Sequence, residues 1–505
     1  MTQTMARIGS FLQPILFAAF PLLSLFEQNQ PEVELSVLWV PLILCVVAGA
    51  ALFGLFWLIT RRATKAGALA SLVVVGFFYY GVASENLSGL GLSDWVFFAL
   101  WVALLGAAGL AIARTRRSLV SLALIVSVGA AVLALPAAAK VAAYQSDHPA
   151  IAISDPRIWP TSLPKPTPAS GTPRPDIYFI VPDDYPRPDV LRKYFHYDDG
   201  PFIRQLEARG FALSPQSRSP YSDSESNISA ALNMDYLSGL PRILGAKSQD
   251  VRPVKRLIED NRASQLLKTL GYRYLHLDTD EVTFAGSNPH ISPLAPPDSF
   301  ENLWLQKSFL RLIGGPIGFN QAAMNERFRH SIRSQFSALN RLPQTAGPKF
   351  VVFHTLLPHD PYVLSAAGKA VTFPSQSEDD LGSRLGMRYF QQQVQYVNRQ
   401  LLETVDTILA HSKTRPIIVI QADEGFQANS ETFGEPAALD IRVKGLSASY
   451  LPGIKGSRIA QPPNTVNTLR FVFNRYFGTH YKLLKSASYP EGDFPYEFQE
   501  KLRVK

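Results

Sequence analysis

The chain has 505 residues, 49 Lys and Arg against 41 Asp and Glu, and a formal charge of +8, so its length calls for more than one structural unit. The basic residues are scattered in short clusters with no basic stripe interleaved with aromatics, which excludes nucleic acid as a partner. The only cysteine, Cys45, lies in an apolar run, so a disulfide-stapled fold is excluded.

The first 145 residues are dominated by Ala, Leu, Val, Gly and Phe. Apolar runs cover 11–26, 36–59, 67–84, 94–113 and 118–143. Crossing the hydrocarbon takes about 20 residues, and a buried core helix explains one such run but not five in succession. The expectation is a bundle of five transmembrane helices over 1–145. The first run, with Pro14 and Pro21 soon after Arg7, resembles a signal peptide in length. No small-residue cleavage site follows it, and 27–34 leads directly into the next run.

Loop charges give the orientation. Arg61, Arg62 and Lys65 lie between the second and third runs, and Arg114, Arg116 and Arg117 between the fourth and fifth. The other two loops, EQNQPEVEL and SENLSGLGLSD, carry acids and no Lys or Arg. Positive loops stay inside. Five crossings from an inside N-terminus place everything beyond residue 145 outside the bacterial cytoplasmic membrane.

Residues 146–174 are Pro-rich and read as an extended linker. From 175 to 505 strand-like segments (177–181, 210–213, 272–277, 350–354, Ile417–Gln421) alternate with helical ones (202–209, 228–237, 254–270, Arg384–His411). Such alternation predicts an α/β domain, a mostly parallel sheet covered by helices on both faces. Ligands of such sheets bind beyond the strand C-termini.

Three strand ends carry chemistry. One runs into Asp183 and Asp184, one into His354 and then Pro358-His359-Asp360-Pro361-Tyr362, and one into Asp423, Glu424 and Gly425. Carboxylates converging from separate strand tips repel one another unless neutralised, and a hard divalent cation is the usual remedy. A single acidic pair at a strand end is explained as well by a helix cap or a solvated turn. The Ser-rich segment YSDSESNISAALNMDY leads into a helix. Its Ser224 fits two roles, a cap or a nucleophile at the positive end of the helix dipole. Arg218, just before it, reads either as an anion contact or as a solvated side chain.

In order, PDIYFIVPDDY, YSDSESNISAALNMDYL, HTLLPHDPY, QADEG, SYLPG and NTLRFVFNRYFG resemble the sulfatase-like hydrolase/transferase group of the alkaline phosphatase superfamily. With the membrane helices ahead of them, the architecture is similar to lipoteichoic acid synthase and related phosphoglycerol transferases. The resemblance covers about 175–484. It implies an alkaline phosphatase-like fold with one divalent cation, Mn²⁺ or Mg²⁺, with Ca²⁺ also compatible. The implied ligands are Asp183, Asp423 and Glu424, completed by the nucleophile Ser224, nine residues before Asn233. His359 is implied as the substrate-contacting histidine and acid, with His354, Asp184 and Arg218 as further substrate-binding candidates.

Two positions depart from the group's pattern: Ser224 stands where it has threonine, and Glu424 where it has histidine, which adds a negative charge. No Cys/Ser-x-Pro-x-Arg activation motif occurs, which disfavours a formylglycine sulfatase. The implied activity moves a phosphoglycerol-like group from an anionic membrane lipid to a glycan or lipid acceptor through a Ser-linked intermediate. Two alternatives follow from the same residues: a weak or inactive scaffold among cell-envelope assembly proteins, and a metal-dependent hydrolase of phosphodiesters or sulfuric esters.

Overall fold

The computed structural model describes residues 2–87, 93–159, 162–277, 300, 304, 307–311, 321–374, 384–454, 464–489 and 494–498. Part of the acidic loop 84–94 therefore lies outside the described residues. The chain divides into two compact units: Met1–Ala150 with Pro297–Met324, and Ile151–Pro296 with Asn325–Lys505.

The first unit is helical: α1 (Thr2–Asn29), α2 (Ser36–Thr60), α3 (Ala63–Phe78), α4 (Tyr80–Asn86), α5 (Asp94–Arg114) and α6 (Val120–Asp147). Helix α1 packs against α2, α3 and α6, and α5 rests on α3. The buried Gln13 of α1 donates to the Ala123 carbonyl (2.6 Å) and to Ser127 Oγ (2.9 Å) of α6, tying the two helices through its amide nitrogen. Among the described residues four helices, α1, α2, α5 and α6, are long and apolar enough to cross a membrane. The third expected span, 67–84, is divided. Helix α3 has 16 residues, about 24 Å at 1.5 Å per residue, and ends where Tyr79 leaves helical geometry (φ −97°, ψ 0°), with α4 continuing beyond it.

The second unit is built on one six-stranded sheet in the order β2-β6-β5-β1-β4-β3. Its strands are β1 (Ile177–Asp183), β2 (Ala212–Leu213), β3 (Arg273–Leu277), β4 (Lys349–Pro358), β5 (Ile417–Gln421) and β6 (Ser447–Tyr450). Strands β5, β1, β4 and β3 are parallel neighbours, while β6 pairs antiparallel with both β5 and β2. The sheet is therefore mixed. Its parallel centre is apolar on both faces, as a strand covered twice must be.

Alternation along each strand divides the side chains between two cores. Phe179 and Val181, Phe350 and Val352, and Ile417 and Val419 share one with Ile228, Leu232, Leu267, Leu469 and Phe473 from helices. Ile180, Phe353 and Ile420 share the other with Leu206, Phe336, Val397 and Leu401. Each fully buried aliphatic or Phe side chain contributes about 1.5–3 kcal/mol.

Two expected helices differ in extent. The stretch 254–270 is two helices, Arg252–Glu259 and Arg262–Lys268, because Asn261 starts a new cap by accepting from the Ser264 N–H (2.7 Å). The helix expected over 228–237 is Ser224–Asn233, stopped by Met234 in a left-handed conformation (φ 57°).

The Pro-rich segment is strapped to this unit rather than free. Ile153, Ile158 and Trp159 are buried in a third core with Tyr221, Leu240, Val254 and Leu257. Gly239 makes that contact fit, since a Cβ there would lie 2.3 Å from the Ile158 carbonyl oxygen. Further along, Tyr481 Oη donates to the Pro164 carbonyl (2.6 Å) and Thr167 N–H to that of Phe477 (3.0 Å).

Candidate metal centre

Because β5, β1 and β4 are parallel neighbours, their C-terminal tips meet at one edge of the sheet. Asp183 follows Phe179 and Val181 by steps of two, His354 follows Phe350 and Val352, and Asp423 follows Val419 by four. All three therefore project on the face that carries helix Ser224–Asn233. Val181 pairs with His354, and a register shift between Pro182 and Asp183 brings the acid level with the tip of β4.

Asp183, His354 and Asp423 each present a ligand atom, all within 4.8 Å of one another, and all three side chains are buried. His354 Nε2 stands 3.4 Å from Asp183 Oδ2 and 3.5 Å from Asp423 Oδ2. Asp423 Oδ1 accepts from the N–H groups of Asp184 (3.2 Å) and Glu424 (2.8 Å), which aims Oδ2 inward. Asp183 Oδ1 and Asp423 Oδ2 are buried and accept no hydrogen bond among the described residues. Buried carboxylate oxygens are costly without a partner, and two of them beside an imidazole suit a divalent cation such as Mn²⁺ or Zn²⁺.

Glu424, one residue on, faces elsewhere. Its Oε2 accepts from Asn227 Nδ2 (2.8 Å), and Oε1 is 3.6 Å from Arg442 Nη2. Asn227 also pairs with both the N–H and the carbonyl of Tyr221, and Arg442 Nε donates to the Ser222 carbonyl (2.6 Å). Glu424 thus fastens the Ser-rich turn beside the three-residue cluster. Ser219 adds a second fastening, its Oγ donating to the Asp423 carbonyl.

Ser224 is the first residue of its helix, but the cap is Asp223, whose Oδ1 accepts from the Ser226 N–H (2.7 Å). The Ser224 side chain is half-buried, and its hydroxyl has no hydrogen bond among the described residues. The turn that precedes it is held beside the carboxylates by Glu424 and Ser219.

Asp184 adopts a left-handed backbone (φ 54°), and its Oδ2 accepts from the Gln427 N–H (3.2 Å). His359 Nε2 lies 3.8 Å from that oxygen, and its Nδ1 faces the Asp360 carbonyl (2.7 Å). Gln393 Nε2 donates to the His359 carbonyl (2.9 Å), anchoring the loop to helix Arg384–His411. Arg218 is not brought to the cluster; it pairs with Asp440 (3.2 Å).

The electrostatics follow from crowding. Burial, reinforced by neighbouring acids, raises the carboxyls of Asp184 (to about 7), Asp423 and Glu424. Burial also pushes Asp183 up, but His359, His354 and Arg442 outweigh it and hold that group below its ordinary value. For His354 and His359 burial disfavours the charged ring, and the facing carboxylates reverse the sign, raising both to about 10. Negative charge is in excess here, as expected of a cation site.

His354 as part of the central cluster, and Asn227 and Arg442 as supports, were not assigned these places by the sequence reading. Parity along the strands is the signal that finds His354. Asn227 and Arg442 have none, since Asn227 meets Glu424 across 197 residues and Arg442 meets Ser222 across 220.

No family model matches this sequence, and no curated protein matches it. Among solved structures, it is similar to the integral membrane protein lipooligosaccharide phosphoethanolamine transferase A (EptA) from Neisseria meningitidis, at 13% identity over 94% of this chain and 95% of that one, with a TM-score of 0.38. It is similar to the lipoteichoic acid synthase LtaP from Listeria monocytogenes, at 14% identity over 62% of this chain and 76% of that one, with a TM-score of 0.33. A protein in the alkaline phosphatase superfamily from Vibrio parahaemolyticus matches at 14% identity over 66% and 73%, with a TM-score of 0.38.

Proposed function

We propose that this chain is a membrane-anchored, metal-dependent phosphotransferase that moves a phosphoglycerol-like group from an anionic lipid to a glycan or lipid acceptor. In this reading 1–145 form a five-crossing anchor, 146–174 a connector, and 175–505 a catalytic domain outside the cytoplasmic membrane. The observation that carries it is the buried cluster of Asp183, His354 and Asp423, with two oxygens lacking hydrogen-bond partners, on the sheet face that bears the Ser224 helix.

Asp183, Asp423 and His354 would hold one divalent cation, His354 standing where Glu424 was expected. The cation, when bound, supplies positive charge that acidifies a nearby hydroxyl and takes up charge on phosphoryl oxygens. Ser224 is the nucleophile: its hydroxyl is free of capping duty because Asp223 performs it. As Ser224 Oγ bonds to phosphorus it gives its proton to solvent water, and the bond to the diacylglycerol oxygen breaks. His359, protonated beside Asp184, gives that oxygen a proton. An acceptor hydroxyl then attacks the phosphoserine, its proton restores His359, and the serine oxygen is reprotonated as it leaves. Pairing of Glu424 with Arg442 and Asn227 favours activity over an inert scaffold, because the extra carboxylate is balanced rather than added to the metal shell.

The test is purified full-length protein with labelled phosphatidylglycerol and a panel of divalent cations, reading diacylglycerol release. Ser224→Ala and Asp423→Ala are expected to lower turnover by about 10³-fold or more, and Asp423→Ala also to abolish stoichiometric metal binding by calorimetry. Release by Ser224→Ala at the wild-type rate would remove the nucleophile, and unchanged metal binding by Asp423→Ala would remove the cluster. Release without any acceptor present identifies a hydrolase.

A further inference from the structure

At one end of the helical unit the start of α1, the end of α2 and the starts of α3 and α6 enclose a pocket of about 490 Å³. Its lining includes Gln3, Arg7, Arg61, Arg62, Thr64 and Val120. The three guanidinium groups make no ion pair or hydrogen bond among the described residues, and no acid lines the pocket. All three side chains are exposed, so water hydrates them, and together they give the pocket a positive charge that no acid in its lining offsets.

The backbone adds to the imbalance. Helix α3 begins at Ala63 and α6 at Val120, both lining residues, and neither cap residue, Arg62 or Leu119, offers a side-chain cap. Two helix N-termini therefore turn their partial positive charge toward the same space. Arg61 is held there by a left-handed backbone (φ 53°) that closes α2, and its guanidinium lies 5.7 Å from the centre of the Trp57 ring. Lys65, next in line, is engaged elsewhere, donating to the Ala113 carbonyl (2.6 Å).

We infer that this pocket binds the phosphate headgroup of an anionic phospholipid, of phosphatidylglycerol or cardiolipin type, in the inner leaflet. A lipid fits better than a soluble anion because the pocket caps a bundle with four helices of membrane-crossing length, and an apolar floor of Trp57 and Val120 accompanies the arginines. The site belongs to the helical unit and does not rest on the reaction proposed for the sheet unit.

Native mass spectrometry of the full-length protein in detergent tests it, with phosphatidylglycerol, cardiolipin, phosphatidylethanolamine and inorganic phosphate as probes. The variant Arg7→Gln/Arg61→Gln/Arg62→Gln is compared with Arg114→Gln/Arg116→Gln/Arg117→Gln, which removes the same charge from the other basic loop. The first is expected to bind the anionic lipids about tenfold or more weakly, with phosphatidylethanolamine unaffected, and the second to bind like wild type. Equal losses in both variants would mean diffuse charge attraction, and no loss in either would mean no site; each overturns the inference. Inorganic phosphate binding as tightly as the lipids would replace the lipid with a soluble anion and overturn it too. The variant Arg61→Lys/Arg62→Lys keeps the charge but loses the planar fork and is expected to fall between. If the glutamine variant fails to fold, wild-type preference for anionic lipid and its weakening in the lysine variant sustain the inference, and absence of either overturns it.

Discussion

Asp199, Tyr185 and Asn398 form a closed ring of three short contacts just behind the metal centre. Tyr185 Oη lies 2.6 Å from Asn398 Oδ1 and 2.9 Å from Asp199 Oδ2, and Asn398 Nδ2 donates to Asp199 Oδ1 (2.7 Å). Three contacts need three protons, and an ionised Asp199 leaves only two. Protonated Asp199 donates to Tyr185, which donates to Asn398, and the ring closes. Burial is also what raises this carboxyl, to about 7. The folded chain thus keeps a proton between pH about 4 and 7 that the unfolded chain has released, so this contribution is complete at low pH and is lost as pH rises through 7. Asp199→Asn supplies a permanent donor and removes the titration. Melting temperatures at pH 5 and pH 8 should fall more for wild type than for Asp199→Asn; parallel falls would mean that Asp199 does not hold the proton. Sequence alone leaves this ring invisible, because Asp199 and Asn398 are brought together only by the packing of distant segments.

At the scale of elements, Gly425 ties the strand tip to its neighbour. A Cβ there would lie 2.1 Å from the Ile441 carbonyl oxygen, and the Gly425 N–H already donates to the Arg442 carbonyl (2.5 Å). Gly425→Ala must push back helix Glu435–Arg442, which carries the partner of Glu424. We expect a loss of about 1–3 kcal/mol in a melting experiment and a larger fall in lipid turnover; wild-type melting and turnover together would refute the close approach. Elements with strong local signals are legible from sequence: β5 and helix Arg384–His411 have the extent that their apolar patterns predict. Strand β6, Ser-Ala-Ser-Tyr, has no apolar run to announce it, and it makes the sheet mixed. The acids at the tips of β1 and β5 were visible as candidates, but which of Asp423 and Glu424 faces His354 depends on strand pairing, which adjacent letters do not encode.

For the whole molecule, the arrangement of charge along the helical unit makes topology testable. Arg61, Arg62, Lys65, Arg114, Arg116 and Arg117 lie in loops at which reporters should read as cytoplasmic. A reporter fused at residue 64 or 116 is expected inside and one after residue 150 outside; an inside signal for the latter would overturn the placement of the sheet unit. The division of the third apolar run at Tyr79 is why the crossing number needs this measurement. The strap of residues 151–159 carries a consequence for release from a membrane. A protease cutting at 148–150 would leave the third core whole, with Pro297–Met324 still part of the helical unit, whereas a cut at 162–170 would separate Ile153, Ile158 and Trp159 from Tyr221 and Leu257. Any fragment of the sheet unit that keeps its third core has to begin before the strap.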